Sequence, residues 1–157
     1  MKHKQHFDKS FPLYHLSENN YDSLTFSPRP MDRDRVMEGE NWKAKRICVS
    51  KSIDGAVSAL CDSMSLPCGI HLYVHIPVNL DDLFKRDKIY KPSTKQVPDV
   101  ETTDEFWLKD NATWKCIGKI EVGNVRDDVD LTYNWCGDVV KMDRFEWRWI
   151  EQYEQNN

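Results

Sequence analysis

The stretch Arg46-Ile47-Cys48-Val49-Ser50-Lys51-Ser52-Ile53-Asp54 runs a short strand directly into the start of a helix. Ser52 is placed to cap that helix. Asp54 falls in its first turn, where the helix dipole favours negative charge. Ile53, Val57, Leu60 and Met64 follow at spacings of four, three and four, which makes one apolar face. Pro67 and Gly69 stop the helix. A second strand follows at His71-Leu72-Tyr73-Val74-His75-Ile76-Pro77-Val78. Its alternation predicts Leu72, Val74, Ile76 and Val78 on one face and His71, Tyr73 and His75 on the other. Pro77 marks an edge position or the strand's end.

Upstream, Phe11-Pro12-Leu13-Tyr14-His15-Leu16-Ser17 reads as a strand with a histidine in its middle, followed by the turn Glu18-Asn19-Asn20. Pro28 and Pro30 forbid regular helix over Leu24–Pro30, so an extended loop is expected there. Residues 31–45 are densely charged and lack periodicity, which predicts an exposed loop. Residues 1–10 read as a loose tail and 11–157 as a single domain. Downstream, residues 79–104 are irregular, and long ordered loops in small domains tend to carry function. Glu105-Phe106-Trp107-Leu108-Lys109 alternates, with Phe106 and Leu108 on one face and Glu105 and Trp107 on the other. Further strands are expected at Trp114–Val122 and Leu131–Trp135. Phe145, Trp149 and Tyr153 at spacings of four predict a second helix at the C-terminal end. One or two helices and five or six strands, without a βαβ rhythm, give an α+β fold with a mixed or mostly antiparallel sheet.

The 157 residues suit one core. Six Trp, six Tyr and six Phe argue for a folded chain. Net charge is −4 with both signs interspersed and no basic stripe, which argues against a nucleic-acid partner. No apolar run approaches the roughly 18 residues of a membrane span, and no apolar segment follows the charged start, so no membrane or secretory route is expected. Five cysteines without a CxxC pair fit reduced, buried thiols in a cytoplasmic protein. His71 and His75, four apart on a strand, lie too far apart to make a zinc site with Cys61 and Cys68. The Asn111-Ala112-Thr113 sequon carries no meaning in such a chain. No phosphate-binding glycine loop and no serine-hydrolase elbow is present. No cysteine is singled out as a nucleophile.

The order of elements carries the remaining signal. Tyr14-His15-Leu16-Ser17 ends one strand, RICVSKS leads a second into a helix, HLYVHIPV follows, and Thr103-Asp104-Glu105 opens a later strand. Over roughly residues 11–125 this resembles the ADP-ribosyltransferase-like fold, in particular small bacterial and phage members and the rifampin ADP-ribosyltransferase and tRNA 2′-phosphotransferase types. The resemblance implies NAD or another ADP-ribose-containing nucleotide as ligand. His15 and Ser17 would sit at the adenosine-side ribose, Ser50 and Ser52 near nicotinamide or phosphate, and a late carboxylate, Glu105, at the reacting ribose. A carboxylate there stabilises an oxocarbenium-like state as its charge develops. Arg29 would grip pyrophosphate bidentately, and Trp107 would stack on a flat ring. His15 would bond a ribose hydroxyl with one ring nitrogen while backbone fixes the other. The acceptor, protein or small molecule, is not readable.

Each of these residues also has a plainer role. His15 serves as a structural strand histidine, Glu105 as a solvent-facing residue and Trp107 as core. Ser52 serves as a simple cap, and Arg29 as half of a surface ion pair. The pattern also departs from the family. There is no second-motif tyrosine near Ser50, Thr103 stands where arginine-modifying members carry an acidic or amide residue, and the Arg-His-His-Arg set of the phosphotransferases is missing. These gaps motivate a non-catalytic nucleotide-binding or protein-interaction module as the alternative. A further alternative is an oligomer interface built from Trp135, Trp147 and Trp149.

Overall fold

The computed structural model describes residues 12–31, 39–64, 69–98, 100–125, 132–133, 139–141 and 145–153. In chain order these form β1 (His15–Ser17), β2 (Thr25–Phe26), β3 (Ile47–Ser50), α1 (Ile53–Met64), β4 (Ile70–Pro77), α2 (Leu80–Lys85) and β5 (Ile89–Tyr90). Then come α3 (Val100–Thr103, a single turn), β6 (Glu105–Leu108), β7 (Ala112–Val125), β8 (Thr132–Tyr133), β9 (Val139–Lys141) and β10 (Phe145–Gln152). The expected tail 1–10 lies outside the described residues. So do 32–38 of the charged loop and Leu131 and Trp135 of the expected strand around β8.

All strand pairings are antiparallel, so the fold is α+β with antiparallel sheets. One sheet runs β1-β4-β7-β10 with β2 pairing β7. A second runs β3-β6-β5, and β8 and β9 form a hairpin. Two isolated bridges join the first two sheets. Tyr14 exchanges backbone hydrogen bonds with Ser50 at 2.7 and 2.9 Å, and Arg29 does so with Arg46 at 3.2 and 3.0 Å. The pairings β1–β4–β7–β2 therefore continue through Arg29 to β3 and return to β1, closing a ring.

α1 forms where the sequence places it. The Ser52 hydroxyl accepts the Gly55 N–H at 2.9 Å, satisfying one of the donors a helix start leaves open. Ile53, Ala56 and Val57 are buried against Leu16, Leu72, Val74, Ile120 and Val122. Each fully buried aliphatic side chain there contributes about 1.5–3 kcal/mol. Gly55 faces α3 so closely that a Cβ would fall inside the contact shell of the Thr103 carbonyl oxygen and 2.6 Å from Ser50 Oγ.

A bulge in β7 decides which face of the sheet is core. Val74 lies opposite Gly118 but His75 lies opposite Cys116, so Ile117 is an extra residue. Gly118 adopts φ +156°, and a Cβ there would lie 2.8 Å from the Trp149 ring. Past the bulge, Ile120 and Val122 bury against α1. Before it, Trp114 and Cys116 bury on the opposite face with His75 and Pro77. The two faces of β4 alternate as expected, but the covered face changes along the strand, from Leu72 and Val74 to His75 and Pro77. His75 is fully buried, Ile76 is half-buried and Val78 is 59% exposed.

The expected C-terminal helix is also corrected. Phe145–Gln152 is a strand, pairing with β7 from Val125 to Gly118. A spacing of four is compatible with both periods. The alternation of half-buried Phe145, Trp147 and Trp149 with exposed Glu146 and Arg148 is the period that β7 selects.

Candidate functional site

The site begins with a split strand edge. Alternate residues of a strand direct their backbone groups to the same edge, so Arg46, Cys48 and Ser50 share one. Ser50 is bonded there by Tyr14 and Arg46 by Arg29. Cys48 lies between them, where the two flanking segments diverge. Its carbonyl accepts the His15 Nδ1–H at 3.3 Å. An imidazole thus occupies the gap a continuous strand would have filled.

The His15 ring lies flat on Trp114, with centroids 4.9 Å apart and planes 20° apart. Phe26 meets it edge-on at 6.4 Å, and His75 lies 6.2 Å away. The Tyr21 backbone N–H donates to His75 Nε2 at 2.9 Å, so His75 Nδ1 carries the proton and donates to the His15 carbonyl at 3.2 Å. His75 is therefore neutral, in keeping with a pKa lowered by burial. Burial also lowers His15, to about 4; the Cys48 carbonyl acts against this, while the Arg29 charge, and that of His75 whenever it is protonated, act with it. With Nδ1–H committed to Cys48, neutral His15 presents Nε2 as an acceptor. No group among the described residues bonds it.

Two other expected residues reach this ring's surroundings, Arg29 through its charge and Ser17 through Tyr21. Ser17 ends β1 and accepts the Asn19 N–H at 3.1 Å. Arg29 is exposed, its side chain has no bonding partner among the described residues, and its charge is felt at both His15 and Tyr21. Tyr21 completes the group, and the sequence reading passed over it as part of a turn. Its loop is pinned to β7 by Ser23 N–H to the Trp114 carbonyl at 2.8 Å and by Cys116 N–H to Asp22 at 2.8 Å. Ser17, then Asn19, hold its phenol below the ordinary value, and Arg29 adds to this. The one sequence signal for it was an aromatic residue directly after Glu18-Asn19-Asn20.

The other four expected residues are engaged internally. Ser50 Oγ donates to the Thr103 carbonyl at 2.6 Å. Ser52 Oγ donates to Asp104 at 2.6 Å while capping α1. Glu105 is 8% exposed and accepts the Trp107 indole N–H at 2.8 Å. Trp107 is 1% exposed, under the Arg46 guanidinium at 4.3 Å, and packs with Val97 and Val100. Arg46 is itself buried, paired with Glu40 at 3.0 Å and bonded to the Asn41 and Ala44 carbonyls. In this arrangement Trp107 is core, and Glu105 faces an indole rather than solvent.

Cys48 joins the two groups. Its carbonyl holds His15, and its side chain lies on the face of β3 opposite Trp107 in register. Burial, then the negative charge of Glu105, push its thiol up to about 12, which removes it as a nucleophile. Among the described residues no cluster of His, Cys, Asp and Glu could hold a metal ion, and no helix is long and apolar enough to cross a membrane. The chain matches no protein-family model, no curated protein and no solved structure.

Proposed function

We propose that the chain binds NAD or another ADP-ribose-containing nucleotide in an ADP-ribosyltransferase-like scaffold, and holds it without consuming it. The observation that carries this reading is the backbone-fixed, neutral imidazole of His15 beside the exposed guanidinium of Arg29. A neutral ring nitrogen with an open lone pair accepts from a hydroxyl, as a ribose offers. A guanidinium with no carboxylate partner among the described residues is suited to grip phosphate. Ser17 and Tyr21 supply further polar groups at the same place. The side chain that would make the site an ADP-ribosyltransferase, Glu105, is committed to Trp107. That commitment supports binding over turnover.

Calorimetric titration with ADP-ribose and with NAD tests the reading. His15→Ala removes one neutral hydrogen bond, about 1 kcal/mol or roughly fivefold in Kd. Arg29→Ala removes a charge-assisted contact, about 2 kcal/mol or roughly thirtyfold. Equal affinities for wild type and both variants would refute the site. Nicotinamide release from NAD, abolished in Glu105→Gln, would refute the non-catalytic part and establish transfer chemistry instead.

A further inference from the structure

We infer that the outer edge of β10 is a self-association surface, which pairs antiparallel with β10 of a second copy of this chain. Among the described residues, backbone pairing runs from β5 through β6, β3, β1, β4 and β7 to β10, with β2 also on β7, so β5 and β10 each have one strand neighbour. The ends differ. β5 offers Ile89–Tyr90 alone, whereas β10 offers the eight residues Phe145–Gln152. Among the described residues, only β7 pairs with β10. A long edge with unpaired backbone groups recruits another strand unless it is blunted.

The side chains along that edge fit one partner. Glu146 and Arg148 are exposed on either side of Trp147, and Arg148 also pairs with Glu121 of β7 in its own chain at 3.3 Å. A twofold axis through Trp147 sets Glu146 opposite Arg148 twice and Phe145 opposite Trp149 twice. Opposite charges and aromatic pairs directly across two strands are both stabilising, and like charges are destabilising. The aromatic residues are only half-buried on the α1 side, where Trp147 donates to Asp54 at 2.8 Å. Their remaining surface is what a second copy would cover.

Light scattering of the full chain over a concentration series, combined with charge exchange, tests the pairing. Wild type is expected to move from 18.6 kDa towards twice that mass as concentration rises. Arg148→Glu and Glu146→Arg each place like charges opposite one another, and each is expected to weaken the dimer by about tenfold or more. Mixing the two single variants restores opposite charges across the axis, as does the double exchange in one chain, and both are expected to recover dimer. Arg148→Glu also loses its own-chain pair with Glu121, whereas Glu146→Arg keeps it, so circular dichroism checks that both variants fold and Glu146→Arg carries the test if only one does. A wild type that stays at 18.6 kDa throughout overturns the inference. So does a dimer indifferent to single reversal, which would use another surface, and so does failure of the mixture to recover.

Discussion

Acid should unfold this protein through its histidines before its carboxylates. His15 titrates near 6.5 when unfolded and at about 4 in the folded chain. A histidine whose folded value is depressed contributes stability that is fully present above the unfolded value. That stability is lost as pH falls from about 6.5 towards about 4, because the unfolded chain takes up the proton first. The whole difference corresponds to about 3 kcal/mol. The ring is half-buried, so solvent screens part of it, and about 2 kcal/mol is expected. His75 is shifted in the same direction by burial and adds to the loss in the same window. The groups acting on His15 are Arg29 and His75, which oppose its protonation, and the Cys48 carbonyl, which favours it. The assay is urea unfolding between about pH 7.5 and about pH 4.5 for wild type and His15→Asn. The Asn amide keeps a donor near the Cys48 carbonyl but does not titrate. Glu121, held down by hydrogen bonds from Arg148 and His71, and Asp110, held down by Arg86, affect both proteins alike and cancel in the difference. The variant should lose about 2 kcal/mol less than wild type over this range. Superimposable pH profiles would refute the argument that His15 is neutral because it is buried.

Four further outcomes follow from the contacts. Gly55→Ala should destabilise by about 3 kcal/mol in urea unfolding, because its methyl meets the Thr103 backbone, which cannot move aside as a side chain would. Ser52→Ala should cost about 1–2 kcal/mol, the helix cap plus the bond to Asp104, measured in the same way. Cys48 should resist iodoacetamide in the native protein at mildly alkaline pH and react on denaturation, as read by peptide mass spectrometry. Trp107→Phe removes the indole donor from Glu105 and should cost about 1–3 kcal/mol of stability. Nicotinamide release should remain absent in that variant, and its appearance would show that Trp107 restrains a working carboxylate.

The strand–helix–strand core was legible because its signals are local. A serine cap, a helix-spaced apolar face and an alternating strand are each specified within a dozen residues. The bulge at Ile117 was not, because Cys-Ile-Gly-Lys-Ile alternates well enough to pass as regular. Only the pairing of Val74 with Gly118 and of His75 with Cys116 reveals the extra residue. Because of that single insertion β4 buries one face at Val74 and the other at His75. β10 was misread for a related reason. Its aromatic spacing satisfies two periods, and the partner strand that chooses between them lies some 25 residues away in sequence. Within the candidate site, the sequence reading expected backbone to fix one His15 nitrogen, and the Cys48 carbonyl does so. Tyr21 was missed because its position depends on a loop pinned to β7. Ser50, Ser52, Glu105 and Trp107 were legible as residue types. Their internal partners, Thr103, Asp104 and each other, come from α3 folding back over the start of α1, which no local pattern announces.

These two groups of residues meet at one peptide. Cys48 contributes its carbonyl to His15 on the strand edge and its side chain to the face shared with Trp107. A continuous strand beside β3 would have bonded this carbonyl with backbone and left no reason for an imidazole. Because β1 and the Arg29 segment part company here, a side chain must satisfy the exposed acceptor, and an unsatisfied one would cost about 1–3 kcal/mol. Histidine meets that need with Nδ1 and retains a second nitrogen for other use. In the proposed reading, the structural and the ligand-binding roles of His15 are therefore consecutive rather than competing. The backbone bond fixes the tautomer, the tautomer makes Nε2 an acceptor, and burial on Trp114 keeps it one at neutral pH. The same reasoning separates Glu105 from this site. Its carboxylate already has the indole donor of Trp107, so a ligand must offer more than that bond before Glu105 turns towards it.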